Sequence, residues 1–502
     1  MRTAESGRKG IRGAGARMLV FASCLSVTTL AFADGPIVIR PGVPLLFAED
    51  SVLESVSNMV RVVHRAQQDE KPVLVPDRPC EKGLIEPFGG IFPKDGGGYR
   101  MWYLTGGAMR TAVADSADGV SWTKPELGLS DYRGDGKRNN LVNVPRALLA
   151  VLDDAFEKDP ARRYKAIGLH YVKDKKTDVV DMDKTGYYTF ESADGLNWKE
   201  CVRAASHYDT CALTQDPQTG DYLLYHKRYI PGYDGVFSRR QVFLTRSSDF
   251  RTWSEPVPVF RPDAVDDNWR TNAVQFADVY MMGVLAHAGG YIGFPAIFKR
   301  ESIFANPDRA NNQSGDDGHG HVEMAFSRDG VEWIRGQGRV PVIAPRGEDS
   351  IDRGGTFCVA TCGPGSVVHT PTETWLYYGA DAATHAEGWV NGRLCTIARA
   401  HWRRWGFVSM ETWKFGDLVT KPVVFKTGKV AVNGKVCRPG EKWAKAEIEV
   451  VDAASGKVLA RGEAYGDNTV KPVAWKGSVP VGRTVRLRIH SRYYGIYAIE
   501  CF

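Results

Sequence analysis

A short motif that recurs along the chain constrains the fold more than any other feature. Its pattern is Ser-x-Asp-(Gly)-x-x-Trp, and it occurs as SADGVSW at 116–122, SADGLNW at 192–198, SSDFRTW at 247–253 and SRDGVEW at 327–333. The Asp side chain can accept hydrogen bonds from the backbone N–H groups ahead of it, Gly supplies a positive φ, and the Trp can pack beneath the turn. Four widely spaced copies of one turn indicate a repeated structural unit.

Each copy of the motif follows a segment in which aromatic and apolar residues alternate, as is typical of a β-strand. These segments are YRMWYL at 99–104, YKAIGLHY at 164–171, YLLYHKRY at 222–229 and YIGFPAIF at 291–298. A fifth segment, TWLYYGA at 374–380, precedes LCTIARAHWRRWGFVSM, in which the turn motif has degenerated. Five strand-rich units with Gly-rich turns and almost no helical periodicity predict an all-β fold, a five-bladed β-propeller.

Two flanking regions complete the predicted domain organisation. We assign residues 34–417 to the propeller and residues 418–502, whose short strands lack the turn motif, to a small β-sandwich. The sandwich is expected either to buttress the propeller or to bind carbohydrate. Near the N-terminus, LLFAED and VRVVHRA alternate as strands do, and one of them is expected to close the ring by joining the last blade. A helix over residues 50–67 is the alternative.

Residues 1–33 have the pattern of a secretory signal peptide. Arg8, Lys9, Arg12 and Arg17 precede an apolar run that ends in Ala31-Phe32-Ala33, the small-x-small pattern that a signal peptidase accepts. We therefore predict a secreted or periplasmic protein. An uncleaved anchor and a lipoprotein based on Cys24 are the alternatives.

Charge and cysteine content narrow the range of partners. Residues 1–33 hold most of the net charge of +6, and the nearly neutral remainder predicts neither nucleic acid nor, after signal cleavage, a membrane as partner. The cysteines after residue 33 show no zinc-ligand spacing. Cys201 and Cys211 form either a local disulfide or buried free thiols. We predict no cofactor and no catalytic metal, while a structural Ca²⁺ and the oligomeric state stay open.

Candidate site residues follow from propeller geometry. The innermost strand of each blade lines a central funnel, and the predicted innermost strands are PFGGIF, LLAVL, TCALT, ADVYMMGV and GGTFCVA. Polar residues near the starts of these strands can meet around one ligand. The catalytic candidates are Glu81, Asp209 and Asp352. The substrate-binding candidates are Asp77, Glu86, His207, Asp278, Tyr280, Glu348, Arg353 and His385.

Several carboxylates in one funnel favour glycoside hydrolysis. That reaction needs one protonated carboxyl group that donates to the leaving oxygen and one ionised carboxylate that attacks the anomeric carbon or activates water. Crowded carboxylates have the divergent pKa values that such a pair requires. The alternatives are a non-catalytic carbohydrate-binding propeller, a glycoside phosphorylase, and a polysaccharide lyase that uses His207, Tyr280 and Arg353.

The SxDGxxW turns, the YRMWY strand and the GFVSM strand resemble the five-bladed propeller glycosidases of glycoside hydrolase families 32, 43, 62, 68 and 117, with the family 130 phosphorylases. A propeller followed by a sandwich resembles family 32 most, and within it exported bacterial proteins grouped there by fold. The resemblance covers about residues 45–500 and implies an O-glycosyl hydrolase acting on an oligo- or polysaccharide. It implies a catalytic Asp at the first innermost strand and further carboxylates on later blades. Glu81 or Asp77, and Asp209, match by position, whereas the Asn-Asp-Pro-Asn-Gly signature of family 32 is absent.

Overall fold

The computed structural model describes residues 35–502 except 107–108, 133–135, 175–176, 178, 207–208, 236–237, 304–314, 348, 357–358, 361–366 and 392–394. Pro36–Phe502 form one compact unit. Strands account for 53% and helices for 3% of the structure, so the predicted all-β class is confirmed. The helical elements are short: α1 (His385–Asn391) and 3-10 turns at Asp50–Val52, Pro160–Arg162 and Gln337–Arg339.

The strands before the first repeat are β1 (Ile37–Ile39), β2 (Leu45–Leu46), β3 (Leu53–Ser57), β4 (Val60–Val63) and β5 (Gln67–Gln68). The next four strands form the first antiparallel unit: β6 (Ile85–Pro93), β7 (Tyr99–Thr105), β8 (Arg110–Ser116) and β9 (Trp122–Thr123). The second unit consists of β10 (Ala147–Asp153), β11 (Tyr164–His170), β12 (Gly186–Ser192) and β13 (Lys199–Ser206).

Three further antiparallel units follow. The third consists of β14 (Cys211–Gln215), β15 (Tyr222–Pro231), β16 (Ser238–Ser247) and β17 (Val257–Phe260). In the fourth, the third strand is split in two: β18 (Phe276–His287), β19 (Gly290–Ile303), β20 (Asp316–Val322), β21 (Ala325–Ser327) and β22 (Ile334–Arg335). In the fifth, the first strand is split: β23 (Val359–Ala360), β24 (Val368–His369), β25 (Glu373–Asp381) and β26 (Cys395–Arg403).

The first strands of the five units surround a common axis. Each predicted innermost segment overlaps one of them, namely β6, β10, β14, β18 and β23. β6 and β10 lie parallel, with Gly89 opposite Ala150. Each of these strands contacts the next in the order of the chain, and β23 contacts β6 again. We interpret this closed ring of four-stranded antiparallel units as five propeller blades.

The recurrent turn motif has the predicted local structure. In the first copy, Gly119 N–H donates to Ser116 Oγ at 2.8 Å, and the Asp118 carboxylate accepts from the backbone N–H groups of Val120 and Ser121, each at 2.8 Å. Trp122 Nε1 then donates back to the carbonyl of Gly119 at 3.2 Å. The side chains of Ser, Asp and Trp thus satisfy the polar groups of a tight turn.

The same turn also joins neighbouring blades. Trp102, on the second strand of the first blade, donates from Nε1 to the carbonyl of Gly195 in the second blade at 2.7 Å. Tyr377 in the fifth blade bonds Gly119 O at 2.6 Å, and Tyr225 in the third blade bonds Gly330 O at 3.0 Å. The aromatic strand residues therefore act as donors between blades as well as packing in the core.

The ring is closed by β5, which directly follows VRVVHRA, one of the two segments expected to close it. β5 pairs with β26, so that Gln68 is opposite Ala400, and this strand completes the fifth blade. VRVVHRA contains β4, which pairs instead with the strand Val408–Glu411 in one of the two C-terminal sheets. The alternative of a helix over residues 50–67 is wrong, since β3, β4 and β5 occupy that stretch.

The remaining strands form two further sheets. They are β27 (Val408–Glu411), β28 (Phe415–Thr420), β29 (Val423–Phe425), β30 (Val430–Val436), β31 (Lys445–Asp452), β32 (Val458–Tyr465), β33 (Lys476–Gly477), β34 (Thr484–Arg492) and β35 (Tyr494–Cys501). One sheet has the order β1-β29-β34-β31-β32-β33 with β28 and β3 beside it, and the other has the order β2-β35-β27-β4 with β30 beside β35.

Side chains from both sheets, among them Phe425, Ile448, Leu487 and Ile499, belong to one hydrophobic cluster, an arrangement typical of a β-sandwich. These two sheets do not follow the domain boundary at residue 417 that the sequence predicted. The strands β1–β4, which were expected in the propeller, pair with C-terminal strands.

Within the described part of the chain, disulfide bonds are not formed by Cys80, Cys201, Cys211, Cys395, Cys437 and Cys501. Of the two alternatives for Cys201 and Cys211, the structure therefore has thiols rather than a local disulfide.

Candidate functional site

Glu81, a predicted catalytic residue, lies inside the protein. Its side chain is fully buried and accepts hydrogen bonds from Tyr103 Oη at 2.7 Å and Lys124 Nζ at 2.8 Å. The backbone N–H groups of Asp77 and Arg78 donate to it at 2.7 and 2.9 Å. A carboxylate with these partners and no exposed surface holds the loop before β6, so the catalytic assignment of Glu81 is corrected to a structural one.

Asp352, the second predicted catalytic residue, is also enclosed. Its carboxylate accepts from Arg346 Nε at 2.9 and 3.0 Å, from the Gln68 amide at 2.7 Å and from the Tyr378 hydroxyl at 2.9 Å. Only 1% of its side chain is exposed. Because Gln68 belongs to the closing strand β5, Asp352 ties that strand to the fifth blade, and its catalytic assignment is likewise corrected.

Asp209 is the predicted catalytic residue that stays accessible. It directly precedes Thr210 and the innermost strand β14, and 32% of its side chain is exposed. Its φ of 112° is far from the ordinary range of a residue with a Cβ, and such strain is concentrated at functional sites. The buried ammonium group of Lys227 lies 2.6 Å from its carboxylate.

Lys227, on β15, connects Asp209 to the next innermost strand. Its side chain is fully buried, and Nζ lies 3.8 Å from the ring centroid of Tyr280 on β18. Burial lowers the pKa of Lys227 to about 8, although Asp209 favours the charged form. Thr210 Oγ1 also donates to the carbonyl of Tyr280 at 2.9 Å, so the starts of β14 and β18 are fixed together.

Tyr280 and His385 form a hydrogen-bonded pair. The Tyr280 hydroxyl lies 3.2 Å from His385 Nε2, and His385 Nδ1 lies 2.9 Å from the carbonyl oxygen of Asp316. A carbonyl can only accept, so Nδ1 carries a proton, and in a neutral imidazole Nε2 accepts the phenolic hydrogen. We call Asp209, Lys227, Tyr280 and His385 the funnel cluster, in which a carboxylate, an amine, a phenol and an imidazole follow one another in contact.

A buried ion-pair network lies behind the funnel cluster. Asp278, predicted to bind substrate, is 1% exposed and accepts from Arg240 Nη1 at 2.5 Å and from the backbone N–H of Arg240 at 2.9 Å. Burial raises the pKa of Asp278, and the Arg240 guanidinium opposes that rise. Arg240 Nη2 also lies 3.5 Å from Asp316, which Arg300 contacts at 2.8 Å. The substrate-binding assignment of Asp278 is corrected, since it positions Arg240.

The other predicted binding residues do not meet as one group. Asp77 is largely exposed and pairs with Lys124 at 2.6 Å, beside the buried Glu81. Arg353 donates to the carbonyl of Ala382 at 2.9 Å and lies 3.3 Å from Glu387 on α1. Glu86 is buried near the start of the innermost strand β6. His207 and Glu348 lie outside the described residues.

Two important residues of the site, Lys227 and Arg240, were not found from the sequence because they lie on the second and third strands of a blade. A signal was present: HKR at 226–228 and RR at 239–240 place charged side chains within otherwise apolar, alternating strands. The structure buries both residues, which such residues tolerate only when paired.

The described residues hold neither a metal-binding cluster nor a membrane-spanning helix. Groups of three or more His, Cys, Asp or Glu side chains arranged to hold a metal ion are not found there. Nor does that part of the chain contain a helix with the length and apolarity needed to span a bilayer.

Comparison with known proteins gives structural likenesses alone. No family profile and no curated protein matches the sequence. An N-acetylgalactosamine deacetylase from F. plautii, solved with blood group B trisaccharide, is 13% identical with a TM-score of 0.42, over 69% of this chain and 96% of its own. A GH32 β-fructofuranosidase from Bombyx mori is 10% identical with a TM-score of 0.38, over 86% and 94%.

A third similar structure is a β-1,2-mannobiose phosphorylase from Listeria innocua in complex with β-1,2-mannobiose. It is 12% identical with a TM-score of 0.39, over 69% of this chain and 97% of its own. The sequence motifs resemble those of families 32 and 130, and members of both families occur among the structures to which the chain is similar. Because these TM-scores lie below 0.5, we base the function on this chain's own side chains.

Proposed function

We propose that the chain is a carbohydrate-active enzyme that hydrolyses a glycosidic bond in the propeller funnel, with Asp209 as its catalytic nucleophile or base. The observation that carries this proposal is the state of Asp209: partly exposed, strained at a φ of 112° and 2.6 Å from a buried ammonium group. A carboxylate at the start of an innermost strand can attack an anomeric carbon or take a proton from water.

Hydrolysis needs a second carboxyl group, and we assign that role to Glu86. It lies near the start of innermost strand β6, in a largely buried position. In the proposed reaction Glu86 donates a proton to the leaving glycosidic oxygen, and the bond from that oxygen to the anomeric carbon breaks. Water supplies the new oxygen and gives up one proton, either to Asp209 as it attacks directly, or to Glu86 as it displaces Asp209 from a covalent intermediate. Tyr280 and His385 then orient the sugar through hydroxyl hydrogen bonds.

The decisive experiment compares Asp209→Asn with a matched control, Asp153→Asn. Asp153 is also a partly exposed, ion-paired carboxylate on an innermost strand, 2.9 Å from Arg163. It is the last residue of β10, however, whereas Asp209 precedes the first residue of β14. Release of reducing ends from inulin, arabinan, xylan, β-mannan and polygalacturonate is measured for the wild type and both variants. We expect Asp209→Asn to lose about 100-fold or more of the activity on the cleaved glycan, while Asp153→Asn retains it.

Two results would contradict this proposal. One is full activity of Asp209→Asn on a glycan that the wild type cleaves. The other is absence of cleavage of every glycan in the panel by the folded wild-type protein. Matching urea unfolding midpoints of the two variants would show that the comparison reports chemistry rather than loss of fold.

A polysaccharide lyase is the second candidate, and the hydrogen bond between Tyr280 and His385 favours it. In β-elimination a base removes the proton next to a uronate carboxylate, the bond to the leaving oxygen breaks, that oxygen takes up a proton from an acid, and a carbon–carbon double bond forms. Water is not consumed. The two reactions are therefore distinguished by carrying out cleavage in heavy-oxygen water: a hydrolase incorporates the label at the new reducing end, and a lyase gives an ultraviolet-absorbing product without it.

We also propose that the protein is exported. The support is the basic and apolar pattern of residues 1–33, ending in Ala31-Phe32-Ala33. Amino-terminal sequencing of the protein from the periplasm or medium of an expressing bacterium should begin at Asp34. Retention of the full-length chain in the cytoplasm would contradict export.

A further inference from the structure

A second cleft lies on the side of the third and fourth blades. Its cavity volume is about 900 Å³, within the range of small-ligand sites. It is lined by the end of β17, the connection 261–269, one face of β19, the β22 region and the turn after it. Among the described residues that line it, none belongs to an innermost strand or to the funnel cluster. The cleft is therefore a separate place for a ligand.

Two indole rings, those of Trp269 and Trp333, line the cleft and are half-buried. The orientation of Trp269 is fixed, because its Nε1 donates to the carbonyl of Asp266 at 2.7 Å. Trp333 is fixed in the same way by the carbonyl of Gly330 at 3.2 Å. A rigid, half-exposed indole provides an apolar face for a flat partner at little cost in side-chain entropy.

The carboxylates of the cleft already have cationic partners. Arg335 lies 2.7 Å from Asp266 and 2.5 Å from Glu323. Arg339 lies 2.6 Å from Asp263 and 3.0 Å from Asp266. These pairs fix the wall of the cleft before any ligand arrives, and they leave its acidic groups neutralised.

Cationic groups of the cleft are left over. Lys299 and Arg261 both line it, and neither forms an ion pair with a described residue. Lys299 Nζ lies 5.6 Å from the ring centroid of Trp269. The guanidinium of Arg335 is paired with Asp266 and Glu323, but its buried Nε donor lacks a hydrogen-bond partner within the described part of the chain. Positive charge without an ion-pair partner among the described residues thus lies over one side of a fixed indole ring, a combination that favours an anionic ligand with an apolar ring face.

We propose that this cleft binds an acidic glycan, with one sugar ring stacked on Trp269 and its carboxylate or sulfate near Lys299 and Arg261. Sugar rings have an apolar face formed by C–H groups, which suits the indole, whereas their anionic substituents point outward and suit the cations. The site is distinct from the funnel, so it binds the polymer whether or not the funnel cleaves it.

Native affinity electrophoresis tests this proposal. The wild-type protein is run through gels containing polygalacturonate or alginate, which are carboxylated, κ-carrageenan, which is sulfated, or dextran and galactan, which are neutral. We expect retardation by at least one acidic polymer, weakening with added salt, and none by the neutral polymers. Trp269→Ala and Lys299→Gln should each weaken the apparent affinity about tenfold or more.

Matched controls separate this site from other surfaces and from the funnel. Trp413→Ala removes an indole that is 63% exposed near β28, and Lys457→Gln removes an exposed lysine near β32; both should be retarded as the wild type is. Asp209→Asn should also be retarded normally, so a failure of the proposed hydrolysis leaves this measurement intact. Retardation by the carboxylated polymers alone identifies a uronate ligand, and by carrageenan alone a sulfate ester.

The proposal would be overturned by any of three results. These are equal retardation by neutral and acidic polymers, unchanged retardation of both cleft variants, and no retardation of the wild type by any acidic polymer. Circular dichroism spectra and unfolding midpoints of the variants check that each still folds. If Trp269→Ala does not fold, Lys299→Gln alone decides the outcome, because the Lys299 side chain forms no ion pair with the described residues.

Discussion

Replacing Gly195 by Ala tests whether the repeated turns hold the blades together. Gly195 has a φ of 69°, and a Cβ added there would lie 2.5 Å from Cζ2 of Trp102 in the neighbouring blade. Trp102 cannot easily move away, because it is 1% exposed and bonds the carbonyl of Gly195 at 2.7 Å. Gly128 is the matched control, with a φ of 71° and no atom within 4 Å of an added Cβ.

The expected magnitude follows from two separate costs. The left-handed backbone conformation costs a residue with a Cβ about 1–2 kcal/mol, and this cost is common to both variants. Overpacking against a buried ring adds about 1–3 kcal/mol at Gly195 alone. We therefore expect Gly195→Ala to lower the free energy of unfolding by about 2–5 kcal/mol and Gly128→Ala by about 1–2 kcal/mol.

Urea unfolding followed by tryptophan fluorescence measures both variants. Equal m-values would indicate that each variant unfolds as the wild type does, so that the difference in midpoint reports stability. The reasoning would be refuted if the two variants were destabilised equally, because the contact between Gly195 and Trp102 would then contribute nothing beyond backbone strain.

Two further predictions concern charged side chains. Asp352→Ala should lower the free energy of unfolding by about 3–5 kcal/mol, since Arg346 loses its buried partner; Asp349→Ala, exposed on the same loop, should change it by less than about 0.5 kcal/mol. Unchanged stability of Asp352→Ala with lost activity would restore its catalytic interpretation. Because burial lowers the pKa of Lys227 to about 8, the unfolded chain binds a proton that the native protein lacks between about pH 8 and pH 10.5. Unfolding free energy measured by urea titration should therefore rise across that range in the wild type relative to Lys227→Met, and parallel pH profiles would contradict this.

The sequence predicted the parts of the fold that depend on local patterns. The four SxDGxxW turns form through hydrogen bonds between residues that are two or three positions apart. Their structure can therefore be predicted from the local sequence. The innermost strands were found for a similar reason, as apolar runs that follow turn signals.

The candidate site was predicted less well because burial depends on distant partners. Asp209 and Asp352 look alike in the sequence, since each precedes an innermost strand. Asp352 is enclosed by Gln68, a residue 284 positions away, and no local signal reveals that contact. The partner of Asp209 is Lys227, which lies on a neighbouring strand whose aromatic alternation conceals its role.

Closure of the last blade by β5 has a consequence for how the protein reaches its native state. Arg399 on β26 bonds Asp69 at 2.8 Å, across 330 positions in the chain. The fifth sheet therefore lacks an outer strand until ends far apart in the sequence have met, and its unpaired edge stays open to other chains meanwhile. Contacts of such long range slow folding and prolong exposure of that edge. We expect refolding to be slow, and its yield to fall as protein concentration rises.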